Sequence, residues 1–184
     1  MCSPASRTRQ PSRWWLVLMH DVSNTDLTDA IYHAQLASME KEHSNHPEHL
    51  SPETIFHRMF DNDPFSHWMG MELVSVQEGA CTLKMQVRRE MLNGFGVAHG
   101  GITFSLADSA FAFACNSQGR HAVSIHCTIE HIAPVREHDE LTAVATEENL
   151  GNQLSNYAIT VTRQDGSPVA FFRGVAYRKR QVWE

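Results

Sequence analysis

The stretch that most restricts the fold is "GITFSLADSAFAFAC", residues 101–115. Its residues are apolar or small, and Asp108 is the one charge among them. A helix that is apolar nearly all round cannot lie on a surface; it has to be wrapped by a sheet and by something else. The flanking sequence supplies the sheet. Upstream, "GMELVSVQ" and "CTLKMQV" alternate apolar and polar residues around "EGA", which is hairpin chemistry. Downstream come "HAVSIHCTIEHI", "ELTAVATEENL", "LSNYAITVTRQ" and "PVAFFRGVAYR", broken by Pro134, Gly151-Asn152 and "DGSP", all turn formers. The order is two strands, one long helix, four strands. Connections of hairpin length predict an antiparallel sheet. The expected class is α+β, an antiparallel β-sheet wrapped around one long apolar helix.

Ahead of the first strand, "SPETIFHRMF" reads as a short helix with Ser51 as cap and Pro52 in its first turn. Residues 1–50 differ in character: a basic start, "RTRQPSR", and a polar tract, "EKEHSNHPEHLSP". Between these, Leu27, Ile31, Ala34 and Leu36 recur at helical spacing behind Thr25 or Asp26 as cap. The expected division is a polar extension over 1–50, partly helical or disordered, and one domain over 51–184. The extension reads as a tail, or as an addition by choice of start codon with Met39 as a later start.

At 184 residues the chain can bury one sizeable core. Its net charge of −6 argues against nucleic acid or an anionic membrane as partner. Cys2, Cys81, Cys115 and Cys127 are scattered, with no CxxC pair, as free thiols in a reducing compartment would be. The run "WWLVLM" is too short for a signal-peptide core or a membrane span, so a soluble cytoplasmic protein is expected. The 12 histidines fall in no HExxH or regular ligand spacing, and no metal is expected.

The helix entry, "NGFGVAHGG", holds four glycines. Glycine allows close approach of a ligand to the backbone, and the first N–H groups of a helix have no internal partners. Such an entry is either a tight turn or a site for a negative oxygen. Asp108 lies two turns further in, too deep to cap the helix, and no Lys or Arg in the helix can pair with it. A buried unpaired charge costs several kcal/mol. Asp108 is therefore either hydrogen-bonded to hydroxyls such as Ser105 or Ser109, or to a neighbouring chain, or it is a catalytic carboxylate beside an oxyanion site.

The motifs "MLNG", "HGG", "FSLAD", "CNSQG", "CTI" and "FRG" together resemble the hotdog-fold acyl-CoA thioesterases, most closely the PaaI group of phenylacetate degradation, over about residues 54–180. The resemblance implies a helix wrapped in an antiparallel sheet, hydrolysis of an acyl-CoA and no cofactor. It makes Asp108 the catalytic carboxylate, acting as nucleophile or as general base for water. It makes Gly100 the residue whose N–H polarises the thioester carbonyl, with His99 and Asn93 positioning thioester and water. Asn93 can equally serve by stabilising the glycine loop. Ser124 falls near a water-orienting serine of some relatives. Phe104, four residues before Asp108, and Gly101 are further candidates for substrate contact. Arg120, Arg136, Arg163 and Arg178-Lys179-Arg180 are candidates for the phosphates of coenzyme A. Some relatives carry a basic residue in the turn occupied here by "GNQ", Gly151 to Gln153.

The expected substrate is an arylacetyl-CoA, of phenylacetyl or hydroxyphenylacetyl type, or a medium-chain acyl-CoA. A hotdog dehydratase would centre its site on histidine without this carboxylate. A non-catalytic acyl-CoA-binding module would gain nothing from a buried charge. Gly100 and Asp108 are eight residues apart on one helix, roughly 12 Å along its axis. One carbonyl cannot reach both. The spacing predicts a homodimer with shared active sites, Asp108 of one chain facing His99 and Gly100 of the other; beyond the spacing, a dimer of dimers is also expected.

Overall fold

The computed structural model describes residues 50–184. The helix expected within residues 25–42 and Cys2 lie outside the described residues. Helix α1, Pro52–Phe60, begins where the sequence places it: the Ser51 side chain accepts from the Thr54 N–H at 3.2 Å, and Pro52 opens the first turn. Its Ile55 and Phe56 are buried, and the Phe56 ring meets Phe113 at 4.7 Å. A second short helix, α2, Pro64–Met69, follows. It is an addition to the elements expected from sequence. Six residues are too few for a visible period, but its punctuation is readable in retrospect. Asp63 caps the N–H groups of Phe65 and Ser66, Pro64 opens the helix, and Gly70 closes it in the left-handed region.

The strands are β1 (Glu72–Gln77), β2 (Ala80–Gln86), β3 (Arg120–His131), β4 (Glu140–Leu150), β5 (Leu154–Arg163) and β6 (Pro168–Val182), and the long helix α3 spans Gly100–Asn116. All pairings are antiparallel, in the order β1-β2-β4-β5-β6-β3. The inner face follows the period-2 alternation of each strand. Cys81 and Leu83 of β2 register with Ala145 and Ala143 of β4, and these with Ile159 and Val161 of β5. Phe172 and Ala170 of β6 complete the rows. The two alanines on β4 let α3 sit close, and Leu106, Ala107, Ala110, Phe111 and Ala114 fill the space above them. Phe111 needs Gly174 beneath it, where an added Cβ would come within 2.8 Å of its ring. This is the hotdog arrangement.

Two features go beyond the expected elements. Strand β6 runs on to Val182, because Arg120 pairs with Val182, the Trp183 N–H donates to the Gly119 carbonyl at 3.0 Å and its indole stacks on His121. The helix, moreover, is not covered all round by the other described residues. Gly101 is exposed and Phe104, Ser105, Asp108, Ser109 and Ala112 are half-buried, a single stripe at helical spacing. No described helix is long and apolar enough to cross a membrane.

Candidate active site

The loop before α3 is a tight turn built on Asn93. Its N–H donates to the Val97 carbonyl at 2.8 Å, its carbonyl accepts from Gly96 N–H at 3.0 Å, and its Oδ1 accepts from Phe95 N–H at 2.9 Å. Gly96 takes φ +73° to close the turn. The side-chain oxygen of Asn93 therefore stabilises the loop.

His99 is the N-cap of α3, and its Nδ1 accepts from the Gly101 N–H at 3.0 Å. A backbone N–H can only donate, so Nδ1 carries the lone pair and the proton of the neutral ring sits on Nε2. His99 thus caps the helix with one nitrogen and presents an N–H donor with the other. Gly101 is engaged through its own N–H, whereas the Gly100 N–H has no acceptor among the described residues. This is the free donor that an oxyanion requires. His131, which sequence reasoning missed, stands close to position 100. Its Nε2 lies 3.1 Å from where a Gly100 Cβ would be. The signal was absent from the local sequence, because β3 meets the helix start only in the folded sheet.

Two turns along α3, Asp108 is half-buried. Burial pushes its carboxyl above the ordinary carboxylate range, and the Cys127 thiol, 3.8 Å from Oδ1, pulls it partly back. Of the hydroxyls considered as partners, Ser109 Oγ faces Ser66 Oγ at 3.5 Å. Ser124 reaches Asp108 only through Cys127, its Oγ standing 3.0 Å from the sulfur. Phe104 is half-buried with its ring edge-on to Phe172 at 5.3 Å, so it belongs in part to the core.

The structure brings Asn93, His99, Gly100 and Gly101 together at the helix start, and Asp108 with Ser124 at mid-helix. Several of the basic candidates are engaged elsewhere. Arg120 donates to the carbonyls of Lys179, Asn152 and Arg178, Arg178 to that of Gly151, and Arg163 to the Ser167 hydroxyl. These arginines pin turns and strand ends. Arg136, Lys179 and Arg180 remain exposed.

A free N–H at a glycine-built helix start, a neighbouring imidazole donor and a carboxylate raised by burial are the parts that acyl transfer to water needs. Known proteins agree. The family model described as Thioesterase superfamily matches residues 95–170. The acyl-coenzyme A thioesterase PaaI of Escherichia coli is 43% identical over 122 residues, covering 66% of this chain and 87% of that protein. The structure of E. coli PaaI, from the phenylacetic acid degradation operon, superposes with a TM-score of 0.70 at 40% identity, covering 71% of this chain and 95% of that one. A Streptococcus mutans protein solved bound to acetyl CoA superposes with a TM-score of 0.60 at 25% identity, over 61% of this chain and 91% of that one. The chain belongs to the thioesterase superfamily, the hotdog-fold thioester hydrolases, and within it stands with the PaaI group.

Proposed function

We propose that the protein hydrolyses an acyl-CoA thioester, an arylacetyl-CoA of phenylacetyl or hydroxyphenylacetyl type or a medium-chain acyl-CoA, to the free acid and coenzyme A. The observation that carries this reading is the pairing of an unsatisfied Gly100 N–H with a half-buried, pKa-raised Asp108 on the one apolar helix. The names of the E. coli relative and the acetyl CoA bound to the S. mutans protein support the choice of acyl-CoA.

In this mechanism the thioester oxygen accepts from Gly100 N–H, with His99 Nε2–H beside it. Asp108 either attacks the carbonyl carbon or takes the proton of a water that does. The C–S bond then breaks, its electron pair leaves with sulfur, and the thiolate collects a proton. In the direct route, water releases the acid from the acyl-Asp108 anhydride.

The site is completed by a second copy of the chain. A carbonyl needs donor and attacking group each within about 3 Å, and eight helical residues separate them by roughly 12 Å. Two antiparallel copies of α3 resolve this, Asp108 of one protomer facing Gly100 and His99 of the partner subunit. Two features support the dimer. The half-buried stripe of α3 is left open by the other described residues. Strand β3, twelve residues long, is a sheet edge with Val123 42% and Ile125 56% exposed, a surface that invites pairing. Pairing of dimers into a tetramer is part of the same proposal.

The test is a hydrolysis screen over aryl and straight-chain acyl-CoAs read by free thiol. Tight binding without thiol release from any of them would replace hydrolysis with an acyl-CoA-binding role. Co-expression of Asp108→Asn with an inactive His99→Ala tests the shared site. Random pairing makes about half the dimers mixed with one intact site each, so activity returns to roughly a quarter of wild type. No recovery, with mixed dimers confirmed by mass spectrometry, refutes it.

A further inference from the structure

We propose that Cys127 is a positioning residue for Asp108: held by the Ser124 hydroxyl, its thiol donates to Asp108 Oδ1 and fixes which oxygen faces the substrate. The inference rests on the hydrolytic reading above. Residues three apart on a regular strand point to opposite faces. Ser124 and Cys127 are three apart, yet their Oγ and Sγ atoms are 3.0 Å apart. The cause is a β-bulge. Ser124 registers with Ala176 and His126 with Val175, so two steps on β3 oppose one on β6. A bulge re-aims side chains, and this one brings Cys127 round to the side of Ser124 and against α3.

Direction follows from proton bookkeeping. The Asp108 carboxylate can only accept, so the thiol proton goes to Oδ1 at 3.8 Å, and the Ser124 hydroxyl donates to sulfur. Burial, followed by the neighbouring carboxylate, keeps the thiol protonated and able to donate, against the pull of the Ser124 bond. The remaining Oδ2 is free for substrate or water. From β3 the titratable group facing Asp108 is Cys127, and from α3 itself it is Cys115. Cys81 on β2, Glu147 on β4 and Tyr157 on β5 also lie near the helix but are not among the causes of the Asp108 shift. In the proposed dimer His99 of the partner subunit faces Asp108 as well. It is common to every variant at position 127, so differences between them isolate the thiol.

The experiment compares wild type, Cys127→Ala, Cys127→Ser and Asp108→Asn by kcat and KM across pH. Loss of the donor in Cys127→Ala lets the carboxyl rise further, so the acid limb of kcat/KM moves to higher pH. On that limb kcat falls by about tenfold, the scale of one hydrogen bond to an ionised group, while KM stays within about twofold. Cys127→Ser, which keeps a donor, restores most of the loss. An alanine profile that overlays wild type, or equal profiles for alanine and serine, overturns the positioning role. Asp108→Asn turning over at the wild-type rate overturns the hydrolytic reading instead, so the two failures are distinguishable. Should Cys127→Ala not fold, the infrared S–H stretch decides. A Cys127 band, assigned by its loss in Cys127→Ser, that shifts in Asp108→Ala, where no side-chain oxygen remains to accept, supports the contact, and an unmoved band overturns it.

Discussion

Replacing Asp108 with asparagine separates the chemistry of the site from its fold. Asparagine keeps the length of the side chain and an oxygen able to accept from the Cys127 thiol, so the contact between α3 and β3 survives. The charge and the base are lost. A positioned acid–base group contributes about a hundredfold to ten-thousandfold, so kcat falls by about a hundredfold or more, about 2.7 kcal/mol of transition-state stabilisation at the least. Stability moves the other way. Because burial raises the Asp108 carboxyl above its ordinary value of 3.8, the native state holds that proton more tightly than the unfolded chain does. Stability contributed by this residue therefore falls as pH rises from the ordinary carboxylate value through the raised one, and the penalty persists above it. Asparagine carries no such penalty. The variant melts at or above the wild-type temperature at neutral pH, and the gap closes below the ordinary carboxylate range, where Asp108 is protonated in both states. Thiol release gives the first quantity and calorimetry across pH the second. Wild-type turnover refutes the catalytic role, and a variant that melts lower at neutral pH refutes the desolvated charge.

Asn116→Ala tests the junction between α3 and β3. The Asn116 amide accepts from Ala122 N–H at 3.0 Å and from Trp183 Nε1–H at 3.1 Å, and donates to the carbonyls of Ala122 and Ala112. Truncation leaves both backbone groups of the buried Ala122 unpaired, so unfolding free energy drops by about 3 kcal/mol; a denaturant midpoint equal to wild type would refute this. We also propose that residues 1–47 are dispensable for catalysis, since they are polar and precede the matched region. A chain beginning at Glu48 keeps its turnover and melting temperature, and a large loss of either by kinetics or calorimetry shows that the extension packs on the core or joins the assembly.

The local elements were legible because their physics is local. Period-2 alternation marked the first two strands and β-rich runs between turn formers the other four, Ser51-Pro52 marked the start of α1, and a run of small and apolar residues marked α3. Asp108 stood out for the same reason: one charge in that run has no bland neighbour to hide among. Helix α2 escaped because six residues carry no period, and the end of β6 escaped because Trp183 is held by residues more than sixty positions away. The site divided along the same line. The glycines before α3 announced an open helix start, but that His99 caps it through Nδ1 while Gly100 keeps a free N–H depends on the turn that Asn93 closes. Cys127 was hidden because alternation from Ser124 assigns it to the opposite face, and only the bulge opposite Val175 and Ala176 reverses that. His131 was hidden because β3 lies beside β6 at the sheet edge, a pairing that side-chain period does not encode. By itself the sequence determined the elements, the lone carboxylate and the glycine-built helix start, all set by residues within a few positions of one another. Tertiary structure decided which atoms meet, because a strand's register and its bulges are settled by packing across the whole sheet.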